Sequence, residues 1–212
     1  EGGGGGGGLV YAGARKLWVM RHAMREDEAD PGWKERAARP YDPPITQEGR
    51  AQARSTGMML RTLQSREGRI DHIVSSPFLR CLQTASEVAN ILGITRIAVD
   101  HGVCEVLLTR NVPVKPTYLD ASALPAIDPM LASFAFEPSP VGPTSWPEDL
   151  TVARRRFDAA FDRIPPRFPG NVLVVAHGDT VAQFVAHTRA VPDDSVYSVP
   201  PCAAAGAEFV QQ

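Results

Sequence analysis

Cysteine is scarce in this chain and falls into no pattern. Its three cysteines, Cys81, Cys104 and Cys202, have neither the close paired spacing of a structural zinc site nor the even number of a disulfide framework. An odd count with no recognisable secretory signal suits a reducing compartment, so a cytoplasmic location is expected. Long apolar runs are missing as well. None approaches the roughly 20 residues that span a bilayer, and no membrane partner is expected. Charge of one sign is not in excess either: 22 basic against 24 acidic residues leave a formal net charge of -2. That argues against a general nucleic-acid or polyanion binder while leaving room for a local basic pocket.

Glycine, by contrast, is concentrated at the start, where Glu1 is followed by Gly2 to Gly8. Residues 1–15 read as a flexible low-complexity lead. The run lacks the Lys-Ser/Thr ending of a P-loop. The chain opens on Glu rather than Met, so this lead need not be native. Residues 16–212 are of ordinary globular composition and are expected to form one domain.

The most informative stretch is Lys16 to Arg25. Leu17 to Met20 are four apolar residues that read as a short buried strand, and they stop abruptly at Arg21-His22 with Arg25 three positions on. An imidazole among guanidiniums is held neutral by its neighbours, and a neutral imidazole is a nucleophile near pH 7. The charged passage from Glu26 to Arg39, then Tyr41-Asp42-Pro43-Pro44, reads as turns because proline opposes a helix. Thr46 is a plausible N-cap for a helix from about Gln47 to Leu63. Asp71 to Ser75 is a short strand, Ser76-Pro77 a turn, and Leu79 to Leu92 a helix stopped by Gly93. Ile97 to Val99 is a further short strand. Residues 111–147 contain eight prolines and no sustained period, so they read as an irregular excursion, either a lid or binding loop or a variable surface insert.

Regular structure resumes at Glu148 to Ile164, where apolar residues recur at helical spacing. The Arg154-Arg155-Arg156 run in it reads as a solvated face, and Pro165-Pro166 as a break. Val172 to Ala176 is the strongest buried-strand signal. It ends in His177-Gly178-Asp179-Thr180, ahead of a helix from about Val181 to His187. The tail, Val196 to Val199 and Ala207 to Val210, could add two strands. Alternating strands and helices predict a three-layer α/β/α sandwich with a mainly parallel sheet.

In such sheets ligands bind beyond the carboxyl ends of the strands. Arg21-His22, Ser75-Ser76-Pro77 with Arg80, Glu105, and His177-Gly178 each follow a predicted strand, so one rim would gather them all. Phosphoryl transfer needs in-line positioning and donors around the equatorial oxygens. Arg21, Arg80 and Arg25 offer forked donors, His177 and helix N–H groups offer more, and Thr180 is within reach of a ligand. His22 would carry the phosphoryl group and Glu105 would protonate the leaving oxygen. With guanidiniums in place, no metal or other cofactor is called for. Each residue also has a plain structural reading: Arg80 as a first-turn helix residue, Glu105 as an ion-pair partner, His177 as a turn histidine, Arg25 as surface charge.

Together, Arg21-His22-Ala23, Ser75 to Ala85, Glu105 and Ala176-His177-Gly178 resemble the histidine phosphatase superfamily, also called the phosphoglycerate mutase-like fold. The resemblance implies that His22 is phosphorylated, that Arg21, Arg80 and His177 form the phosphate pocket, and that Glu105 is the proton donor. Ala23 stands where the family pattern usually has Gly. Tyr41-Asp42-Pro43-Pro44-Ile45-Thr46, Arg25, Cys104-Glu105 and Val199-Pro200-Pro201-Cys202 are similar to the phosphatase domain of the suppressor-of-T-cell-receptor-signalling proteins. There Arg25 would join the phosphate pocket. The ubiquitin-binding and SH3 modules of those proteins find no room within this sequence.

The resemblance makes a metal-independent phosphomonoesterase the leading expectation, with a small molecule or a phosphoprotein as substrate and a homodimer possible. A phosphoglycerate mutase is the alternative. Mutases of this fold resemble one another in Arg-His-Gly-Gln/Glu-Ser, whereas this chain has Arg-His-Ala-Met-Arg. A silent phosphate-binding scaffold would have lost His22, Glu105 or an arginine. A metal hydrolase would need a clustered ligand set that the sequence does not present.

Overall fold

A computed structural model describes residues 15–209 except 191, 193, 194 and 197. The glycine-rich lead expected over 1–15 therefore lies outside the described residues apart from Arg15.

The element order is β1 (Arg15–Arg21), α1 (Glu26–Ala29), α2 (Trp33–Arg36), α3 (Gln47–Glu67), β2 (Ile70–Ser75), α4 (Leu79–Leu92), β3 (Arg96–Val99), α5 (Leu124–Ile127), β4 (Ala135–Glu137), α6 (Leu150–Arg167), β5 (Asn171–Ala176), α7 (Gly178–Arg189) and β6 (Ala204–Phe209). The strands form one sheet in the order β4-β3-β2-β5-β1-β6. Pairing is parallel from β4 through β1, and β6 alone runs antiparallel, against β1.

The three layers follow from side-chain alternation along the buried strands. On β5, Val172, Val174 and Ala176 face a core completed by Phe157, Phe161 and Phe184 from α6 and α7. Leu173 and Val175 face the opposite core, with Ala53, Leu60, Ala85 and Val88 from α3 and α4. Both faces are covered, which is why β5 reads as a continuous apolar run. Thr46 caps α3 as expected, its side chain accepting from the Gly49 N–H at 2.8 Å. Gly93, at φ +72°, ends α4 in the left-handed conformation that glycine adopts without penalty.

Four expectations need correction. The passage from Glu26 to Arg39 holds two single-turn helices, α1 and α2, rather than turns alone. The 111–147 excursion is not wholly irregular: α5, a 3-10 turn at Pro129–Ser133, and β4 lie within it, and β4 extends the sheet by pairing with β3. Pro165-Pro166 do not break α6, which runs to Arg167. They fall in its last turn, where Pro165 still offers its carbonyl to the Phe168 N–H at 3.3 Å. In the tail, residues 196, 198 and 199 are not strand and Tyr197 lies outside the described residues, so one strand forms where two were expected. That strand starts at Ala204, three residues early, because it pairs with β1 through Met20↔Ala204; Val210, the last residue of the expected strand, is outside the described residues.

Candidate active site

Three parallel strands end side by side. His22 follows β1, Ser76 follows β2 and His177 follows β5. The ladder carries one step past the strand ends: the His22 N–H donates to Ala176 O and the Ser76 N–H to Val175 O, each at 2.9 Å. The loop after His22 is pinned by α4, since the Ala23 N–H donates to Thr84 Oγ1 at 3.0 Å and that hydroxyl donates to Arg80 O at 2.7 Å.

His22 is only 1 % exposed. Its Nδ1 lies 2.8 Å from its neighbour's carbonyl, Ala23 O. A carbonyl can only accept, so Nδ1 carries the proton and Nε2 keeps its lone pair. Burial, then Arg80 and His177, hold the imidazole well below its ordinary range. It is therefore neutral at pH 7, with a bare nitrogen.

Arg80 lies in the first turn of α4, its guanidinium 4.4 Å above the Phe78 ring. Its Nη2 reaches Glu105 Oε2 at 3.2 Å and His177 Nδ1 at 3.3 Å. Its Nε and Nη1 are buried and without a hydrogen-bond partner; the nearest carboxylate oxygen to Nη1 is Asp42 Oδ1, at 3.9 Å. Orphaned guanidinium donors are costly in a folded protein unless a ligand takes them.

His177 is fully buried and follows β5 as the N-cap of α7. Its Nε2 pairs with Ser76 Oγ at 2.8 Å, and its Nδ1 faces Glu105 Oε2 at 3.3 Å. A proton on Nδ1 points at the carboxylate; a bare Nδ1 takes the Arg80 N–H. Burial pulls this imidazole down to about 4, against the pull of Glu105 toward the cation. Burial pushes the Glu105 carboxyl up, but His177 and Arg80 outweigh it and hold the group well below the usual range. At rest Glu105 is ionised and both histidines are neutral.

Arg21, His22, Arg25, Arg80 and Glu105 line one cavity of about 330 Å³ with the N-terminus of α7. Arg21 is tied to Glu28 at 3.0 Å and to Val199 O at 2.7 Å. Arg25 is held in a fork by Asp27, at 2.8 and 3.1 Å, so its charge is already matched within the protein. Thr180 is fully buried and does not reach the cavity wall; its Oγ1 has no partner. His177 sits behind the wall, touching the cavity through Arg80 and Glu105. Among the described residues, no group of three or more His, Cys, Asp and Glu side chains could hold a metal ion, and no helix is long and apolar enough to cross a membrane.

Two functional neighbours were not foreseen. Asp42 accepts the Leu79 N–H at 2.8 Å and lies beside Arg80, so it caps α4 from a distant loop. Its only sequence signal is the Tyr-Asp-Pro-Pro setting. The second is Arg156. The arginine run was expected to be a solvated face, yet Arg156 turns inward to Glu148 and to the loop carrying Glu105. Cys81, between Arg80 and the sheet, is fully buried, and burial raises its thiol to about 12. It is packing, not a reactive thiol.

A mainly parallel sheet thus gathers two buried histidines, arginines and a carboxylate at its carboxyl rim, a setting with positive groups and donors for an anion. The chain belongs to the histidine phosphatase superfamily (branch 1), which it matches over residues 17–208. The ecdysone phosphate phosphatase of Bombix mori, solved with tungstate, shares 21% identity over 93% of this chain and 92% of its own, with a TM-score of 0.70. A mycobacterial glucosyl-3-phosphoglycerate phosphatase gives 21% identity, 91% and 89% coverage and 0.58. An Escherichia coli protein described as a putative alpha-ribazole-5'-P phosphatase gives 17%, 93% and 92%, and 0.62. At these identities the likeness is one of fold. No curated protein matches the chain.

Proposed function

We propose that this protein is a metal-independent phosphomonoester hydrolase that works through a phosphohistidine on His22. One observation carries the reading. The Arg80 guanidinium, two of whose buried nitrogens have no partner within the protein, lines a cavity that also presents His22, neutral and with Nε2 bare. A tetrahedral oxyanion in that cavity would be held by the guanidinium while its phosphorus meets the imidazole.

In the first step the Nε2 lone pair forms a bond to phosphorus and the phosphorus–oxygen ester bond breaks. The departing oxygen takes a proton from Glu105. In the second step the Glu105 carboxylate accepts a proton from water as its oxygen attacks phosphorus, the nitrogen–phosphorus bond breaks, and inorganic phosphate leaves. Because Glu105 rests as a carboxylate, its proton has to arrive with the substrate. The monoanion of a phosphomonoester, the form favoured below its second pKa of about 6, carries one, and the docked negative charge raises the affinity of the carboxyl for it.

Within the superfamily, we place the chain nearest the phosphatase domain of the suppressor-of-T-cell-receptor-signalling proteins. Local geometry supports the relevance of the shared segments: Asp42 adjoins Arg80, Val199 O holds Arg21, and the Cys202 N–H donates to His22 O at 3.3 Å. The wall beyond the phosphate end is polar, with Asp27, Lys34, Tyr41, Arg110, Asn111 and Asp179. That favours a small hydrophilic phosphomonoester or a phosphorylated side chain.

The test is phosphate release from an aryl phosphate in chelator, alongside incubation with 3-phosphoglycerate. Chelator-resistant release with no isomerisation supports the hydrolase. Isomerisation without net release would make the protein a mutase.

A further inference from the structure

The loop that carries Glu105 has no regular structure of its own beyond one 3-10 turn, His101–Val103. It is nonetheless held at both ends by one helix face. Arg156 and Arg163 lie two turns apart on α6, so they project on the same side. Arg163 Nη2 grips both oxygens of Asp100, at 2.8 and 3.0 Å, and Asp100 in turn accepts the Gly102 N–H at 2.7 Å. Arg156 holds the other end. Its Nη1 donates to Gly102 O at 2.9 Å and Cys104 O at 3.0 Å, and its Nη2 to Glu105 O at 3.2 Å.

The remaining Arg156 donors go to Glu148. Nε meets Oε1 at 2.8 Å and Nη2 meets Oε2 at 2.6 Å, and the Glu148 side chain is wholly buried. Glu148 directly follows the proline-rich excursion over 111–147, which begins six residues after Glu105, and its own N–H donates to Leu107 O at 3.1 Å. One guanidinium therefore ties together the loop before the excursion, the residue that closes it, and α6. A carbonyl cluster of this kind needs a planar fork; an ammonium has three donors and no fixed plane.

We infer that Arg156, set by Glu148, is the positioning residue for Glu105, fixing the main chain beneath the carboxyl so that Oε2 meets Arg80 and His177. The inference rests on the hydrolase reading above, in which Glu105 supplies the leaving group's proton. A proton donor displaced by a fraction of an ångström loses efficiency first where the leaving oxygen most needs the proton. Arg156 touches neither substrate nor reacting atoms.

The experiment measures kcat/KM for an alkyl phosphate and for an aryl phosphate with an acidic leaving group. It compares wild type, Arg156→Lys, Glu148→Gln, Glu105→Gln and the double variant Glu105→Gln/Arg156→Lys. The expected result is a loss of about tenfold or more on the alkyl ester in Arg156→Lys, with little change on the aryl ester. The double variant should lose no more than Glu105→Gln alone. Glu148→Gln should show the same selective pattern, more weakly, and serves in place of Arg156→Lys if that variant fails to fold. Equal losses on both esters, or losses that multiply in the double variant, would overturn the positioning role. Failure of the hydrolase reading shows separately, as wild-type turnover that does not depend on His22.

Discussion

Arg80 Nη2 stands 3.2 Å from Glu105 Oε2 while two other nitrogens of the same guanidinium have no partner. Arg80 thus does two things at once. With His177 it keeps the Glu105 carboxyl low, and it keeps two donors unpaired within the protein. The pairing explains how the charge can be buried with the side chain only 3% exposed: the Glu105 carboxylate balances it.

Arg80→Ala should therefore cost kcat/KM about 100- to 1,000-fold, the range for removing a donor aimed at developing charge. It should also leave Glu105 buried without its guanidinium, so the carboxyl titrates higher and the acid limb of the pH–rate profile moves up. Steady-state kinetics across pH checks both. Full retention of kcat/KM would take Arg80 out of the pocket.

Glu105→Gln keeps the shape of the side chain and removes the transferable proton. Turnover of alkyl phosphates should fall about 100-fold or more, and aryl phosphates with acidic leaving groups should fall much less. A plot of log kcat/KM against leaving-group pKa would steepen in the variant. Parallel lines for the two proteins would count against proton donation.

Acid should destabilise the fold through His177. Its folded value of about 4 lies below the ordinary 6.5, so between those limits the unfolded chain binds a proton that the folded one refuses. Stability is then present above pH 6.5 and is lost as pH falls toward 4. The part due to His177 amounts to about 2 kcal/mol between pH 8 and pH 5. Urea unfolding of wild type and His177→Gln over that window measures it, and the variant should show a shallower loss. Identical slopes would place the buried neutral imidazole in doubt.

Much of this arrangement was legible because it is local. The apolar run of β1 ends in Arg21-His22 and that of β5 in His177-Gly178, and a parallel sheet brings such ends to one rim whatever the loops do. The Thr46 and Gly93 boundaries likewise depend on a few adjacent residues. What escaped the sequence was decided at a distance. β4 is three residues in a proline-rich passage and becomes a strand only by lying against Arg96–Ala98. α1 and α2 are too short to leave a periodic signal. The Arg154–Arg156 run reads as surface because nothing nearby in sequence shows that Gly102, Cys104 and Glu105 turn their carbonyls toward one of its three members. Asp42 acts on a helix that begins 37 residues later.

The central claim, a phosphohistidine on His22, is tested most directly by rapid quenching during turnover of an aryl phosphate in chelator, with wild type beside His22→Ala. The account predicts a phosphoprotein that is acid-labile and base-stable in wild type and absent from His22→Ala, which also loses turnover. Undiminished phosphate release by His22→Ala would contradict it.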